Sequence, residues 1–252
     1  MQIGNGTFLK GDCLELMKEI PDGSIDMILC DLPYGTTECK WDTIIPFDAL
    51  WEQYWRITKP NSPIVLTASQ PFTSALVMSQ IDFYKTSWIW NKSQSGSFAN
   101  AKYHPLKITE DILVFGRKRI NYYPQMRTGK MRPKGGSKKT SEIQIRLKEN
   151  INFNDQYFPT NVLEIPSERN NRIHPTQKPV ALFEYLINTY TNEGETVLDN
   201  TAGSGTTAIA AINTNRKWIC MERDETYYEK ATERVKNHTP TIDDNPDGLF
   251  EF

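Results

Sequence analysis

The most restrictive feature of this chain is the spacing of its short apolar runs. Ile25–Cys30 (IDMILC), Pro63–Ala68 (PIVLTA) and Glu110–Phe115 (EDILVF) have the length and branching of buried strands, and Trp88–Trp90 marks another. Between them, Phe47–Ile57 and Phe72–Ser79 carry helical spacing. The rhythm resumes near Asn161. A helix is predicted over Pro179–Tyr190, with Pro179 suited to a first turn, then a strand over Thr196–Asp199 and a helix over Ser204–Ile212. A strand over Lys217–Glu222 and a helix over Asp224–Val235 follow, with Asp224 as N-cap. Alternation of this kind predicts an α/β fold, a mostly parallel sheet covered by helices. At 252 residues, 38% of them hydrophobic, the chain can bury one sizeable core in one or two domains.

The formal net charge of −2 gives no global basic signature, so any nucleic-acid site must be local. Cys13, Cys30, Cys39 and Cys220 form no CxxC pair and have no histidine at metal-ligand spacing, which argues against zinc and against a disulfide framework. The N-terminal MQIGNGTFLK lacks the apolar stretch of a signal peptide, and no run approaches the roughly 20 apolar residues of a membrane span. These features predict a reduced, cytoplasmic protein without a membrane partner.

One segment breaks the alternation. Arg117–Lys148 contains eleven Lys or Arg residues opposed by Glu142, and it includes Pro133, Gly135 and Gly136 with no apolar period. It reads as a loop-rich basic insertion, for which a solvated surface loop is the plain alternative. The organisation expected is residues 1–116 and 161–238 as two parts of one domain, 117–160 as the insertion, and 239–252 as an acidic mobile tail.

Two loops carry chemistry. In VLDNTAGSGTTA, a strand ends in Asp199, a turn with Gly203 and Gly205 follows, and a helix begins; the next strand ends in Glu222. Glycines let backbone pass close to a ligand, and an acid at the next strand end can take a ribose diol. The residues leave NAD, FAD and S-adenosylmethionine open, and a bare tight turn as well. No GK[ST] supports a phosphate loop. The second loop, Asp31-Leu32-Pro33-Tyr34, directly follows the strand Ile25–Cys30. A carboxylate and a backbone carbonyl there could accept both hydrogens of a base amine and draw its lone pair out of conjugation. In that scheme Asp31 orients the amine, the Leu32 carbonyl takes the second hydrogen, Pro33 stiffens the turn and Tyr34 stacks on an extruded base. The alternative is a turn with a capping aspartate.

Taken together and in this order, the motifs resemble the β class of amino-methylating DNA methyltransferases. In that class a (D/N/S)PP(Y/F/W) motif comes first, a recognition region lies in the middle and the cofactor glycines come last. Asp199–Thr207 (DNTAGSGTT) resembles the family's DPFxGSGTT, His174–Pro179 (HPTQKP) its H-P-[TA]-[QE]-K-P segment, and Gly11-Asp12-Cys13 its GD motif. The resemblance implies a Rossmann-like class I methyltransferase fold, mixed but mostly parallel, with helices on both faces and a circularly permuted motif order. It implies S-adenosyl-L-methionine as cofactor, bound by Asp12, Cys13, His174, Thr176, Gln177, Lys178, Asp199, Thr201, Gly203, Gly205, Thr206, Thr207 and Glu222, with Asp12 on the adenine, Glu222 on the ribose and the Thr176–Lys178 helix start at the methionine end.

It also implies double-stranded DNA with a specific site as substrate, and direct methyl transfer to N6 of adenine, since aspartate leads the catalytic motif. The basic insertion becomes a target-recognition region, with Lys92, Arg117, Lys118, Arg119, Arg127, Lys130, Arg132, Lys134, Lys138 and Lys139 on DNA. Lys102-Tyr103-His104 forms a further polar loop. The chain departs from the family at Leu32 for proline, Asn200 for proline and Thr201 for phenylalanine, the last predicted to weaken one pocket wall. Cytosine-N4 methylation, action on RNA or a protein amide, and DNA binding without turnover are the rivals. A homodimer and a cognate restriction endonuclease remain open.

Overall fold

The computed structural model describes residues 1–35, 42–95, 98, 101–134, 152–168, 170 and 172–240. They fall into two compact units: residues 124–160 belong to one, and the chain before and after them builds the other.

The larger unit contains β1 (Gln2–Ile3), β2 (Gly6–Lys10), α1 (Cys13–Lys18), β3 (Met27–Asp31), α2 (Phe47–Ile57), β4 (Ile64–Ala68), α3 (Phe72–Ser79), β5 (Tyr84–Asn91) and β6 (Thr109–Phe115). After the smaller unit, which holds β7 (Arg127–Lys134) and β8 (Asn152–Tyr157), come β9 (Val162–Glu164), α4 (Val180–Tyr190), β10 (Thr196–Asp199), α5 (Thr206–Asn213), β11 (Lys217–Glu222) and α6 (Glu225–Lys236). Nine strands form one sheet in the order β1-β2-β11-β10-β3-β4-β6-β5-β9. From β2 to β4 all neighbours are parallel; β6 runs against β4 and β5, and β1 against β2. This is the mixed, mostly parallel sheet of a Rossmann-like fold.

Helices cover both faces because the strands alternate. Ile28 and Cys30 of β3, Ile64 and Leu66 of β4 and Leu113 and Phe115 of β6 pack with Met17, Leu50, Trp51, Tyr54 and Leu76 from α1, α2 and α3. On the other face, Trp88 meets Tyr185 of α4 edge-on and bonds the Tyr190 hydroxyl, while Phe8 packs edge-on against Trp218 and Tyr228 of α6. From β3 the chain proceeds to β4, on the far side of β3 from β10; from β10 it proceeds to β11, on the far side of β10 from β3. Between them lies the topological switch that leaves a crevice at the carboxyl ends of parallel strands.

The predicted helices over 47–57 and 72–79 have these limits in the structure, and Asp224 caps α6 by accepting from the Tyr227 amide at 3.0 Å. Predicted helix Ser204–Ile212 begins later, at Thr206, because Gly205 sits at φ 73°, outside a right-handed helix. Within the basic stretch, β7 and β8 form an antiparallel pair with a register irregularity between Thr128 and Arg132, where a structureless loop was predicted. Gly129 makes room there: a Cβ on it would lie 2.9 Å from the Tyr157 ring, whose hydroxyl donates to the Lys130 carbonyl. Lys138 and Lys139 lie outside the described residues, and so does the tail from 241 onward. No helix among the described residues is long and apolar enough to cross a membrane.

Candidate active site

A cleft of about 680 Å³ opens along the carboxyl edge of the sheet, lined by Asp12, Asp31, Tyr34, His174, Gly203 and Glu222 among others. Residues as far apart in sequence as Asp12 and Glu222 therefore share one small-molecule-sized cavity, and its volume falls within the range of roughly 300–1,000 Å³ usual for such sites.

Asp31 ends β3 and is held on one oxygen. Its Oδ1 accepts from the Tyr34 hydroxyl at 2.7 Å, from the Thr67 hydroxyl and from the Lys178 ammonium at 2.8 Å. Among the described residues nothing donates to Oδ2. Thr67 reaches Asp31 because β3 and β4 pair in parallel with these two residues in register. Leu32 is buried at 3% exposure in the core beneath α2, so apolar packing anchors the loop where the family has proline. Tyr34 stacks on Phe72 (5.2 Å, 26°), so one ring face is taken by protein. Burial, then the Asp31 and Glu110 charges, push its phenol well above the ordinary range.

The acid does not stand alone. Lys178 is 6% exposed and lies 3.1 Å from Glu110 Oε2, while Lys92 binds Glu110 Oε1 at 2.9 Å. Both ammonium groups lie over the Trp90 ring at 5.9 Å, and Lys178 is 5.7 Å from the Tyr34 centroid. Lys178, expected on the cofactor, directs its charge to the carboxylates of β3 and β6, and Lys92, expected on DNA, pairs with Glu110 inside the cleft.

The glycine turn is built from the strand ends upward. Asp199 accepts from the Thr201 amide at 3.0 Å and from the Thr207 hydroxyl, and burial raises its pKa from 3.8 to about 7. It stitches the turn to α5 from a position 3% exposed. Glu222 accepts from the Gly203 amide (2.8 Å) and the Asp224 amide (2.7 Å), and burial raises its pKa as well. Each of its oxygens retains acceptor capacity for a diol. Gly203, at φ 49°, faces the His174 ring, which itself meets Tyr227 edge-on at 4.2 Å and shares a hydrogen bond between Nδ1 and the Thr176 hydroxyl (3.1 Å). Thr206 donates to the Lys178 carbonyl. Asp12 caps α1 through the Leu14 amide at 2.9 Å, with Cys13 buried behind it.

The Thr201 hydroxyl donates to the Asp31 carbonyl at 3.1 Å. The departure from phenylalanine thus ties the glycine turn to the end of β3, at the place where a weakened pocket wall was predicted. Asn200 accepts from Tyr54 (2.6 Å) and from Cys30 (2.8 Å) in the same seam.

Arg117, Lys118 and Arg119 lie elsewhere. Strand β6 runs antiparallel, so its end is beside the start of β4, at the edge opposite the cleft, where Arg117 bonds the Thr58 carbonyl at 2.6 Å and packs on Trp55. These three residues, expected on DNA, thus stand at the sheet edge opposite the cleft. Arg127, Lys130, Arg132 and Lys134 belong to β7 of the smaller unit.

Sequence reasoning missed Thr67, Glu110 and Glu168. Glu168 accepts from Gln177 and from the Val180 amide at 3.1 Å, holding the start of α4. No local signal marked Thr67, whose role depends on β3 and β4 becoming neighbours. Glu110 opened a predicted strand and passed as an edge charge.

The DNA methylase family N6_N4_Mtase matches residues 25–233. The chain is 31% identical over 245 residues to the DNA adenine methyltransferase YhdJ of Escherichia coli K12, covering 91% of this chain and 82% of that protein. Among solved structures, the M1.HpyAVI–SAM complex superposes with a TM-score of 0.63 at 24% identity, covering 91% and 98% of the two chains. The cytosine-N4-specific PvuII DNA methyltransferase superposes at 0.68 and 17%, covering 96% and 89%. With a family match over most of its length and a relative this similar along nearly all of it, the chain belongs to the N6/N4 DNA methylase family.

Proposed function

We propose that this protein transfers a methyl group from S-adenosylmethionine to N6 of adenine in DNA. The observation that carries the reading is the asymmetry of Asp31: three donors occupy Oδ1, and Oδ2 is left at the cleft as an acceptor. An exocyclic amine brings two hydrogens and a conjugated lone pair. Asp31 Oδ2 accepts one hydrogen and the Leu32 carbonyl the other, which draws the nitrogen towards tetrahedral geometry and its lone pair out of conjugation; one amine proton leaves to solvent once the methyl group is transferred. The bound cofactor supplies an electrophilic methyl group on a sulfonium sulfur. The residues fit such a ligand. Glu222 has acceptor capacity for its ribose, Gly203 has no side chain where backbone must come close, and the start of α4 offers amides to a carboxylate. Positioning does most of the work, because direct displacement needs no covalent enzyme intermediate. The base enters the cleft by leaving the duplex stack. The likeness to a relative named as an adenine methyltransferase supports the choice of adenine.

The test uses unmethylated DNA and methyl-labelled S-adenosylmethionine. Asp31→Ala and Tyr34→Ala are expected to lose label transfer to DNA while the wild type retains it. Undiminished transfer by both variants would refute the mechanism.

A further inference from the structure

Lys178 lies in the segment that the sequence assigns to the cofactor, yet its ammonium contacts two protein carboxylates, Asp31 at 2.8 Å and Glu110 at 3.1 Å. Glu110 is in turn held by Lys92 at 2.9 Å. The result is a row of alternating charge, Asp31–Lys178–Glu110–Lys92, contributed by β3, the start of α4, β6 and the loop after β5. A lysine this deep stays charged only when paired. Burial pushes its pKa down, but the two carboxylates outweigh burial and hold it above the ordinary value. Burial likewise pushes Glu110 up, and Lys178 and Lys92 bring it below the usual carboxylate range.

We propose that Lys178 is a positioning residue for the catalytic carboxylate: it pins Asp31 through Oδ1 and sets a cation against it, and Glu110 sets how much of that charge Asp31 receives. This rests on Asp31 being the amine acceptor. Three donors on one oxygen leave the carboxylate a single acceptor towards the cleft, and a protonated Asp31 could not take the amine hydrogen there. The other groups facing Asp31 are Tyr34 and Thr67, which donate to it, and Asp199 and His174. Burial lowers the His174 pKa against the pull of the Asp31 charge. Asp199 opposes the Asp31 charge as it ionises, which leaves Lys178 as the nearest cation.

The deciding experiment is the pH dependence of kcat at saturating DNA and S-adenosylmethionine for the wild type, Lys178→Met and Glu110→Gln, with cofactor affinity by equilibrium dialysis. Lys178→Met is expected to lower kcat about tenfold or more at neutral pH and to move the acid limb up by about one pH unit or more, since the carboxylate then loses its neighbouring cation. Glu110→Gln is expected to move the limb down, because Lys178 then serves Asp31 alone. Cofactor affinity is expected to stay within about threefold in both variants. A limb that stays fixed in both, or moves the same way in both, overturns the proposal. So does a large loss of cofactor affinity in Lys178→Met with an unmoved limb, the signature of a cofactor ligand. If Lys178→Met does not fold, the downward shift in Glu110→Gln decides. A wild type that methylates no base refutes the proposed function itself, whereas an active wild type with unshifted variants refutes only the role of Lys178.

Discussion

Thr67 is a buried hydroxyl whose hydrogen bond goes to the carboxylate that ends the neighbouring strand. Hydrogen bonds to a charged acceptor are worth roughly 1.5–3 kcal/mol, and about 1.4 kcal/mol is a tenfold change in rate. Thr67→Val keeps the shape, removes one of the three donors on Oδ1 and releases Asp31 to sample other rotamers. The expected outcome in steady-state kinetics is a fall in kcat of about tenfold, with cofactor affinity unchanged. An unchanged kcat would mean that Tyr34 and Lys178 suffice to hold Asp31. The loop was legible as DLPY because its residue types and its place after a strand are local facts. Thr67, Glu110 and Lys178 were not, since their roles depend on which strands become neighbours.

At the scale of elements, the turn between β10 and α5 joins several constraints. Gly205 sits at φ 73° with a would-be Cβ 3.1 Å from Val235 of α6. Gly205→Ala adds left-handed strain of about 1–2 kcal/mol and crowds that helix, so a thermal melt is expected to show a drop of roughly 2–8 °C. An unchanged melt would contradict the packing described. Asp199 governs the same turn through its proton. Burial raises its pKa from 3.8 to about 7, so the folded protein binds that proton more tightly than the unfolded chain. The contribution favours folding below about pH 4 and is lost as pH rises through about 7. Asp199→Asn cannot ionise, and its melting temperature is therefore expected to gain on the wild type between about pH 4 and pH 7. A constant gap across that range would refute the assignment.

The long, periodic helices and the apolar strands of the sheet could be read from sequence, as α2, α3 and β10 show. The pair β7–β8 could not. RTGKMRPK has no alternation and contains both glycine and proline, so its pairing depends on the partner strand. Strands as short as β1 and β9 carry too few residues for a period to register.

For the whole molecule, the sheet's topology assigns charge to places that composition cannot. Because β6 runs antiparallel, Arg117, Lys118 and Arg119 emerge at the edge away from the cleft. Replacing all three by alanine is expected to leave DNA affinity within about twofold. Lys130→Glu in β7 is expected to weaken it and to flatten its dependence on salt, because each lost phosphate contact lowers the salt slope by about one. The opposite pattern in a fluorescence titration would return the recognition surface to residues 117–119. Methyl transfer to the amine of adenine guided by Asp31 is best checked by mass spectrometry of nucleosides from unmethylated DNA incubated with the protein and S-adenosylmethionine. N6-methyladenine is expected from the wild type and none from Asp31→Ala. N4-methylcytosine in its place would contradict the base assignment, and the absence of any methylated nucleoside would contradict the activity.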